Sequence, residues 1–437
     1  MSFPAGWVRS NLQECSQTIQ YGLTCTSSRS GEGYRYVRIT DIQNGQIRWE
    51  DVPFADETGA KAAAYELAPG DILFARTGGT VGKSFLVDRL ELPAVFASYL
   101  IRLQCDQGIL LPEFAAKFLQ SADYWRQIFE GATGTGQPNF NGTKLANLSL
   151  PLPPLAEQRR IVAKLDALFA RLARARAELD RVPALKRQLK RQALAACFEN
   201  ADWDQKDLGS LLHGIEAGKN MRCDERPPRE GELGVVKVSA VTWGQFDPTE
   251  SKTLPSDYSP PEKARIRSGD LLISRANTLE LVGAVALVDE GPKGLYLSDK
   301  ILRLVLDQDA KKWVLWFLRS PLGRRQIESL ATGNQLSMRN ISQDALRRIR
   351  LPFPPSEVRH ELIQKLEASF ARADRFEAKA TRARALLERL DAAILTKAFR
   401  GELVPQDPTD EPASVLLERI RAQRAPAAKS KRGRRGQ

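Results

Sequence analysis

A chain of 437 residues is too long for one ordinary core and suits two or three domains. Its hydrophobic (42%), charged (27%) and aromatic (7%) fractions are those of a globular protein, so with no apolar run of the roughly 18 residues that a membrane span needs, a membrane protein is excluded. Met1 to Trp7 has no basic stretch leading into an apolar one, which argues against a secretory leader and makes the cytoplasm the expected compartment.

The net charge of +12 points to an anionic partner, and its placement is uneven. Arg421 to Gln437 holds seven basic residues and no acid, and Glu157 to Asn200 holds eleven Lys/Arg against five Asp/Glu. A basic end of this kind is also a common solvated tail. Five cysteines without a Cys-x-x-Cys pair, and two histidines far apart (His213 and His360), leave no expected metal site and few candidates for histidine-dependent catalysis.

From the N-terminus, Tyr36 to Ile42, Asp71 to Ala75, Ser84 to Val87 and Tyr99 to Leu103 read as strands bounded by Gly, Pro and Asp, and Pro112 to Ser121 as a short helix. Thr77-Gly78-Gly79-Thr80-Val81-Gly82-Lys83-Ser84 approaches a phosphate-binding loop, but Thr77 stands where glycine is required and a strand follows instead of a helix. As a connection between strands it can present Arg76, Thr77 and Lys83 to phosphates or base edges. A second loop, Thr133 to Asn141, offers Thr133, Gln137, Asn139 and Asn141, with Lys144 just beyond. Amide side chains can read adenine and arginine can read guanine, although Asn and Gly are equally suited to turns.

Ala156 to Phe198 then reads as one long helix, about 65 Å at 1.5 Å per residue. Leu165, Leu172 and Leu179 recur every seven residues before Val182, Leu185 and Leu189 take over, and Pro183, which removes one hydrogen bond, is expected to kink the helix where the register changes.

The pattern now repeats. Val37-Arg38-Ile39-Thr40-Asp41-Ile42 matches Val236-Lys237-Val238-Ser239-Ala240-Val241, and Gly70-Asp71-Ile72-Leu73 matches Gly269-Asp270-Leu271-Leu272, at an offset of 199. Leu100-Ile101-Arg102-Leu103 and Ile301-Leu302-Arg303-Leu304 follow at 201, Ala132-Thr133-Gly134 and Ala331-Thr332-Gly333 at 199, and Leu150-Pro151 and Leu351-Pro352 at 201. One offset held within two residues through so many blocks marks a tandem duplication. Trp313 to Ser320 reads as a short helix of the second copy. Its two loops carry Arg275, Asn277 and Thr278, and Asn334, Gln335, Ser337, Arg339 and Asn340. In the second helical segment Leu366, Ala373, Ala380, Leu387 and Ile394 recur every seven, with Phe376, Ala383 and Leu390 three residues after members of that row. The two long helices are expected to pack on each other.

The fold class is thus α+β: two pseudo-repeated mixed heads (1–150 and 201–350), two helical spacers (151–200 and 351–404) and a C-terminal segment (405–437) with a basic tail. Catalytic motifs are not found. Leu152-Pro153-Pro154 and Phe353-Pro354-Pro355 lack the preceding Asp or Asn of a base amino-methylation motif, and no glycine-rich strand end suits S-adenosylmethionine.

Pro151-Leu152-Pro153-Pro154-Leu155-Ala156-Glu157-Gln158-Arg159-Arg160, running on to Phe169, resembles the helical region of type I restriction-modification specificity subunits, as do Gly70 to Leu73 and Lys397 to Leu403. The likeness spans nearly the whole chain to about residue 420; the second copy is looser, with Glu357-Val358-Arg359-His360 at the helix start. The resemblance implies two target recognition domains with helices packed antiparallel as a coiled coil, each head reading one half of an asymmetric bipartite site in double-stranded DNA, and helix length setting the gap. It further implies two methylation subunits docked on the helices, for which Glu157, Arg160, Leu165, Phe169, Leu366 and Phe370 are candidate contacts. S-adenosylmethionine, and ATP with Mg where motor-nuclease subunits join, belong to those partners and not to this chain. A coiled-coil adaptor without DNA specificity, and a self-contained DNA-modifying enzyme, are the rival readings.

Overall fold

The computed structural model describes residues 3–43, 46–131, 139–199, 202–335 and 338–424. The chain divides into two compact units, residues 1–179 with 382–437 and residues 180–381, so the division falls inside both long helices and each unit holds one head and half of each helix.

In the first unit a four-stranded antiparallel sheet is ordered Ser16–Tyr21, Leu100–Cys105, Asp71–Ala75, Ser84–Leu86. Asp71 to Ala75 is buried throughout. Side chains alternate across a strand, so Ile72 and Phe74 join one core with Ile101, Leu103 and Phe114, while Leu73 and Ala75 join another with Val37, Phe96 and Leu100. This two-sided burial explains a run that is apolar rather than alternating. The second unit repeats the sheet as Leu212–Ala217, Ile301–Leu306, Leu271–Ser274, Val285–Leu287. It repeats the split as well: Leu271 and Ile273 face one core, Leu272 and Ile301 the other. A smaller sheet in each head contains one parallel pair, Arg35–Val37 with Ala94–Phe96 and Gly234–Val236 with Leu295–Tyr296. Each head closes where it began: Val8–Asn11 pairs with Ser149–Leu152, and Gln205–Asp207 with Arg350–Pro352.

The Gly-Asp turn of each copy has one physical purpose. Gly70 (φ 94°) and Gly269 (φ 80°) take the left-handed conformation that favours glycine. The aspartate after each accepts a backbone N–H, from Ala68 at 3.0 Å and from Arg267 at 2.8 Å. It also meets an arginine buried in the neighbouring strand: Arg102 lies 3.5 Å from Asp71, and Arg303 lies 2.6 Å from Asp270. Backbone carbonyls complete both arginine sites, Glu66 O at 2.6 Å from Arg102 and Lys263 O at 2.8 Å from Arg303.

The long helices span Leu155–Phe198 and Ser356–Phe399, and the first continues through Pro183. In the first unit Ile161, Leu165 and Leu172 share a core with Ile394, Leu395, Ala398 and Phe399, and Arg176 pairs with Asp391. In the second unit Lys186 pairs with Asp374 and Glu377, and Lys190 with Asp374, so positions on one helix rise as those on the other fall and the pairing is antiparallel. The expected row Leu366, Ala373, Ala380 and Ile394 is buried, but Phe376, Leu390, Leu185 and Leu189 are exposed. The stems of Lys186 and Lys190 occupy the place expected of a second apolar row, with their ammonium groups on carboxylates.

The C-terminal region also departs from expectation. Ala413–Arg424 is a helix that buries Ala413, Leu416 and Leu417 in the first unit. Arg421 pairs with Glu14 at 2.6 Å and Arg424 with Asp106 at 2.8 Å, so these two arginines belong to the folded unit and not to a basic tail.

Removing one partner of a buried ion pair strands the other. Asp71→Ala should therefore destabilise the chain by about 3–5 kcal/mol. Asp270→Ala should cost less, because Glu216 remains 2.6 Å from Arg303. Urea denaturation of the two variants side by side checks the order.

Candidate nucleic-acid interface

In the first head the strand Asp71–Ala75 runs directly into Arg76, whose N–H donates to Tyr99 O at 3.1 Å. Its carbonyl accepts the N–H of Phe140 at 2.9 Å, and Thr77 forms a β-bridge with Asn139. The second head repeats each contact. Arg275 N–H donates to Lys300 O at 2.9 Å, Ile341 N–H donates to Arg275 O at 2.9 Å, and Ala276 pairs with Asn340. The two loops selected separately in the sequence are therefore joined through their backbones, identically in both copies. In the second head the joint widens into a small sheet of Ala276–Asn277, Met338–Asn340 and Thr332–Gln335.

The loop from Thr77 to Ser84 is not built for an NTP phosphate. The amides of Val81, Gly82 and Lys83 donate to the carbonyls of Gly78, Ala75 and Thr80 at 3.0–3.1 Å, so these three are not free to cradle a phosphate, and the strand Ser84–Leu86 follows where a phosphate loop has a helix. Gly82 (φ 86°) and Gly283 (φ 72°) serve packing: a Cβ would come within 2.9 Å of Ile128 and Trp125 in one head and 2.6 Å of Ile327 in the other.

What remains available is side-chain chemistry. Arg76 lies over the Tyr21 ring, 4.9 Å from its centre, and its Nε has no hydrogen-bond partner among the described residues. Tyr21 in turn accepts the Gly142 N–H at 2.7 Å. Arg275, at the repeat-equivalent position, is half-buried and makes no side-chain hydrogen bond among the described residues. It lines a cleft of about 610 Å³ together with Asn277, Asn340, Lys300 and Trp243. Lys83 and Asn139 are exposed and Thr77 half-buried.

Several of the candidate base-reading residues also hold the loops in place. The Asn141 side chain caps the helix Gly142–Ala146 by accepting the Lys144 N–H at 2.9 Å, as Ser342 does for Ala345 in the other head. Lys144 Nζ donates to Gly131 O at 2.9 Å, Arg339 Nη1 turns back to Gly333 O at 2.7 Å, and the Asn277 side chain accepts the Thr278 N–H at 2.8 Å. The Thr278 hydroxyl is buried and unpartnered among the described residues. Thr133, Gln137 and Ser337 lie outside the described residues, as do the side chains of Asn334 and Gln335.

Of the six helix residues offered as partner contacts, Glu157, Leu165 and Leu366 are buried and Arg160, Phe169 and Phe370 half-buried. Glu157 is 1% exposed, accepting Trp7 Nε1 at 2.9 Å and Gln406 Nε2 at 2.7 Å, and burial pushes its carboxyl above the usual range despite those bonds. Leu165 and Leu366 are core residues. Arg160 pairs with Asp410 at 2.6 Å, Phe169 carries Lys117 over its ring, and Phe370 packs edge-on against Trp316. Sequence reasoning missed Tyr21, Trp243 and Lys300, whose relation to the loops exists only after folding.

Among the described residues no group of three or more His, Cys, Asp or Glu side chains could hold a metal, and no helix is long and apolar enough to cross a membrane. Two copies of one head, each feeding a long helix and each offering an arginine at a paired-loop joint, define a duplicated recognition scaffold. Residues 5–182 match the family model for the type I restriction modification DNA specificity domain. The type I restriction enzyme EcoKI specificity subunit of Escherichia coli strain K12 is 26% identical over 99% of this chain and 98% of its own. The StySPI specificity subunit of Salmonella potsdam is 25% identical over the same shares. The crystal structure of the HsdS subunit from Thermoanaerobacter tengcongensis matches with a TM-score of 0.65 at 22% identity, covering 92% of this chain and 98% of that one. Residues 5–182 thus carry that specificity domain, and nearly the whole chain is similar to type I restriction enzyme specificity subunits.

Arg76→Ala and Arg275→Ala should each weaken specific DNA binding by about 1–3 kcal/mol and relax selectivity in a different half of the site. Competition binding against oligonucleotides altered in one half at a time checks this.

Proposed function

We propose that the chain is the non-catalytic DNA-recognition subunit of a type I restriction-modification complex, in which each head reads one half of an asymmetric bipartite site in double-stranded DNA. The observation that carries this is the twofold occurrence of one loop joint, Thr77 with Asn139 and Ala276 with Asn340, each beside an arginine without an acceptor among the described residues. A shared backbone joint with different side chains is what two half-sites of different sequence require, because base contacts specify while the scaffold positions. A featureless adaptor has no use for such a joint.

On this reading two methylation subunits dock on the helices and supply S-adenosylmethionine and the transfer chemistry, with motor-nuclease subunits and their ATP and Mg joining the same assembly in the cytoplasm. In the second unit Leu185, Leu189 and Phe376 are exposed apolar side chains on the long helices, and they replace the buried Glu157, Leu165 and Leu366 as docking candidates. Leu185→Asp combined with Phe376→Asp should lower co-purification with methylation subunits at least tenfold while leaving the circular dichroism spectrum unchanged.

Exchange of residues 1–150 for the same span of a related subunit tests the division of labour. Sequencing of methylated adenines in cells should show one half-site changed and the other retained. Changes in both halves would refute independent heads.

A further inference from the structure

Trp243 is the most exposed large hydrophobic side chain among the described residues, at 80%. Its position is nevertheless built rather than loose. It follows the short helix Ser239–Thr242, where Thr242 Oγ1 donates to Val238 O at 2.9 Å, and the Asp247 N–H donates to Ala240 O at 2.9 Å across the turn. Immediately after it, the carbonyl of Gly244 (φ 82°) accepts from the Arg319 guanidinium, which also donates to Val285 O at 2.8 Å. An indole held into solvent by a backbone pinned this firmly is preorganised for a contact made elsewhere.

The surroundings identify that contact. Leu281 and Val238 line the cleft at the loop joint, Trp243 and Met338, itself 60% exposed, are its exposed large apolar side chains, and Arg275, Asn277, Asn340 and Lys300 supply polar groups. Asp299 is the one acid in that lining, so the positive side chains outnumber it. A protein partner would favour a continuous apolar patch. Amides and cations beside one indole match the edge of a base pair, whose major groove presents donors, acceptors and, on thymine alone, a methyl group.

We propose that Trp243 reads a thymine methyl in the half-site bound by the second head, a specificity determinant with no counterpart in the first. In the repeat, Val241-Thr242-Trp243-Gly244-Gln245 stands against Ile42-Gln43-Asn44-Gly45-Gln46, so the first copy has asparagine at this position. The first head's own aromatic beside the equivalent arginine is Tyr21, which comes from a different strand.

The inference rests on each head binding one half-site, and the test separates the two ideas. The full chain, assembled with its methylation subunits, is titrated with DNA in which each thymine of the second half-site is replaced in turn by uracil, which lacks only the methyl. At one position the substitution should weaken wild-type binding about fourfold, the worth of one buried methyl. Trp243→Ala should abolish that difference and leave preferences in the first half-site intact. Phe129→Ala, which removes a ring 74% exposed in the first unit, should leave it unchanged. Retention of the uracil effect in Trp243→Ala, its absence at every thymine of the second half, or loss of subunit assembly with DNA preference unaltered would each overturn the assignment. A wild-type assembly that shows no sequence preference at all would instead overturn the half-site reading beneath it.

Discussion

An arginine buried in the central sheet of each head is the constraint on which the site geometry depends. Arg102 and Arg303 are each 7% exposed, and a guanidinium at that depth is tolerated only where carboxylates and carbonyls surround it. The Gly-Asp turn supplies the carboxylate and, through its left-handed glycine, the sharp entry into the strand. That strand ends five residues later at Arg76 or Arg275. The electrostatics of the sheet centre therefore fix where the loop joint begins, and the same solution occurs in both copies although most of the neighbouring side chains differ.

Duplication followed by divergence has kept different things in different places. Backbone contacts at the joint are the same to the residue: Arg76 O with Phe140 N and Arg275 O with Ile341 N. The side chains above them are not the same. The first head stacks its arginine on Tyr21, whereas the second places Trp243 and Met338 beside an arginine that has no ring against it among the described residues. A recognition scaffold needs this separation, since a joint held by main-chain hydrogen bonds can accept new side chains without losing its position.

Much of this was legible in the sequence because it is local. The strand Asp71–Ala75, the two offsets near 200 and the start of each long helix are set by periodicity, turn residues and repetition. Long-range partners were not legible. Glu157, in the first turn of a helix, reads as a contact for a docked subunit, yet its partners Trp7 and Gln406 lie 150 and 249 residues away. The heptad pattern likewise located the buried row but missed that Lys186 and Lys190 would cover the seam and leave Leu185 and Leu189 in water. Asn141 is ambiguous in a third way: the same amide can cap a helix or read a base, and the cap becomes visible only in the fold.

Charge illustrates the same point at the scale of the whole chain. A net +12 suggests a polyanion, but many of the arginines are bonded within the chain. Arg319 donates to Val285 O and Gly244 O, Arg324 to Val282 O, and Arg359 to Pro354 O and Asp309, while Arg424 is tied to Asp106. Such groups brace loops and helix ends, and moving them to meet a phosphate would strand carbonyls and carboxylates at a cost of about 1–3 kcal/mol each. Arg76 and Arg275 carry no such debt to the described residues, and they occupy the same place in both heads. Which cations can meet DNA is thus decided less by how many the chain carries than by which of them the fold has left without an acceptor.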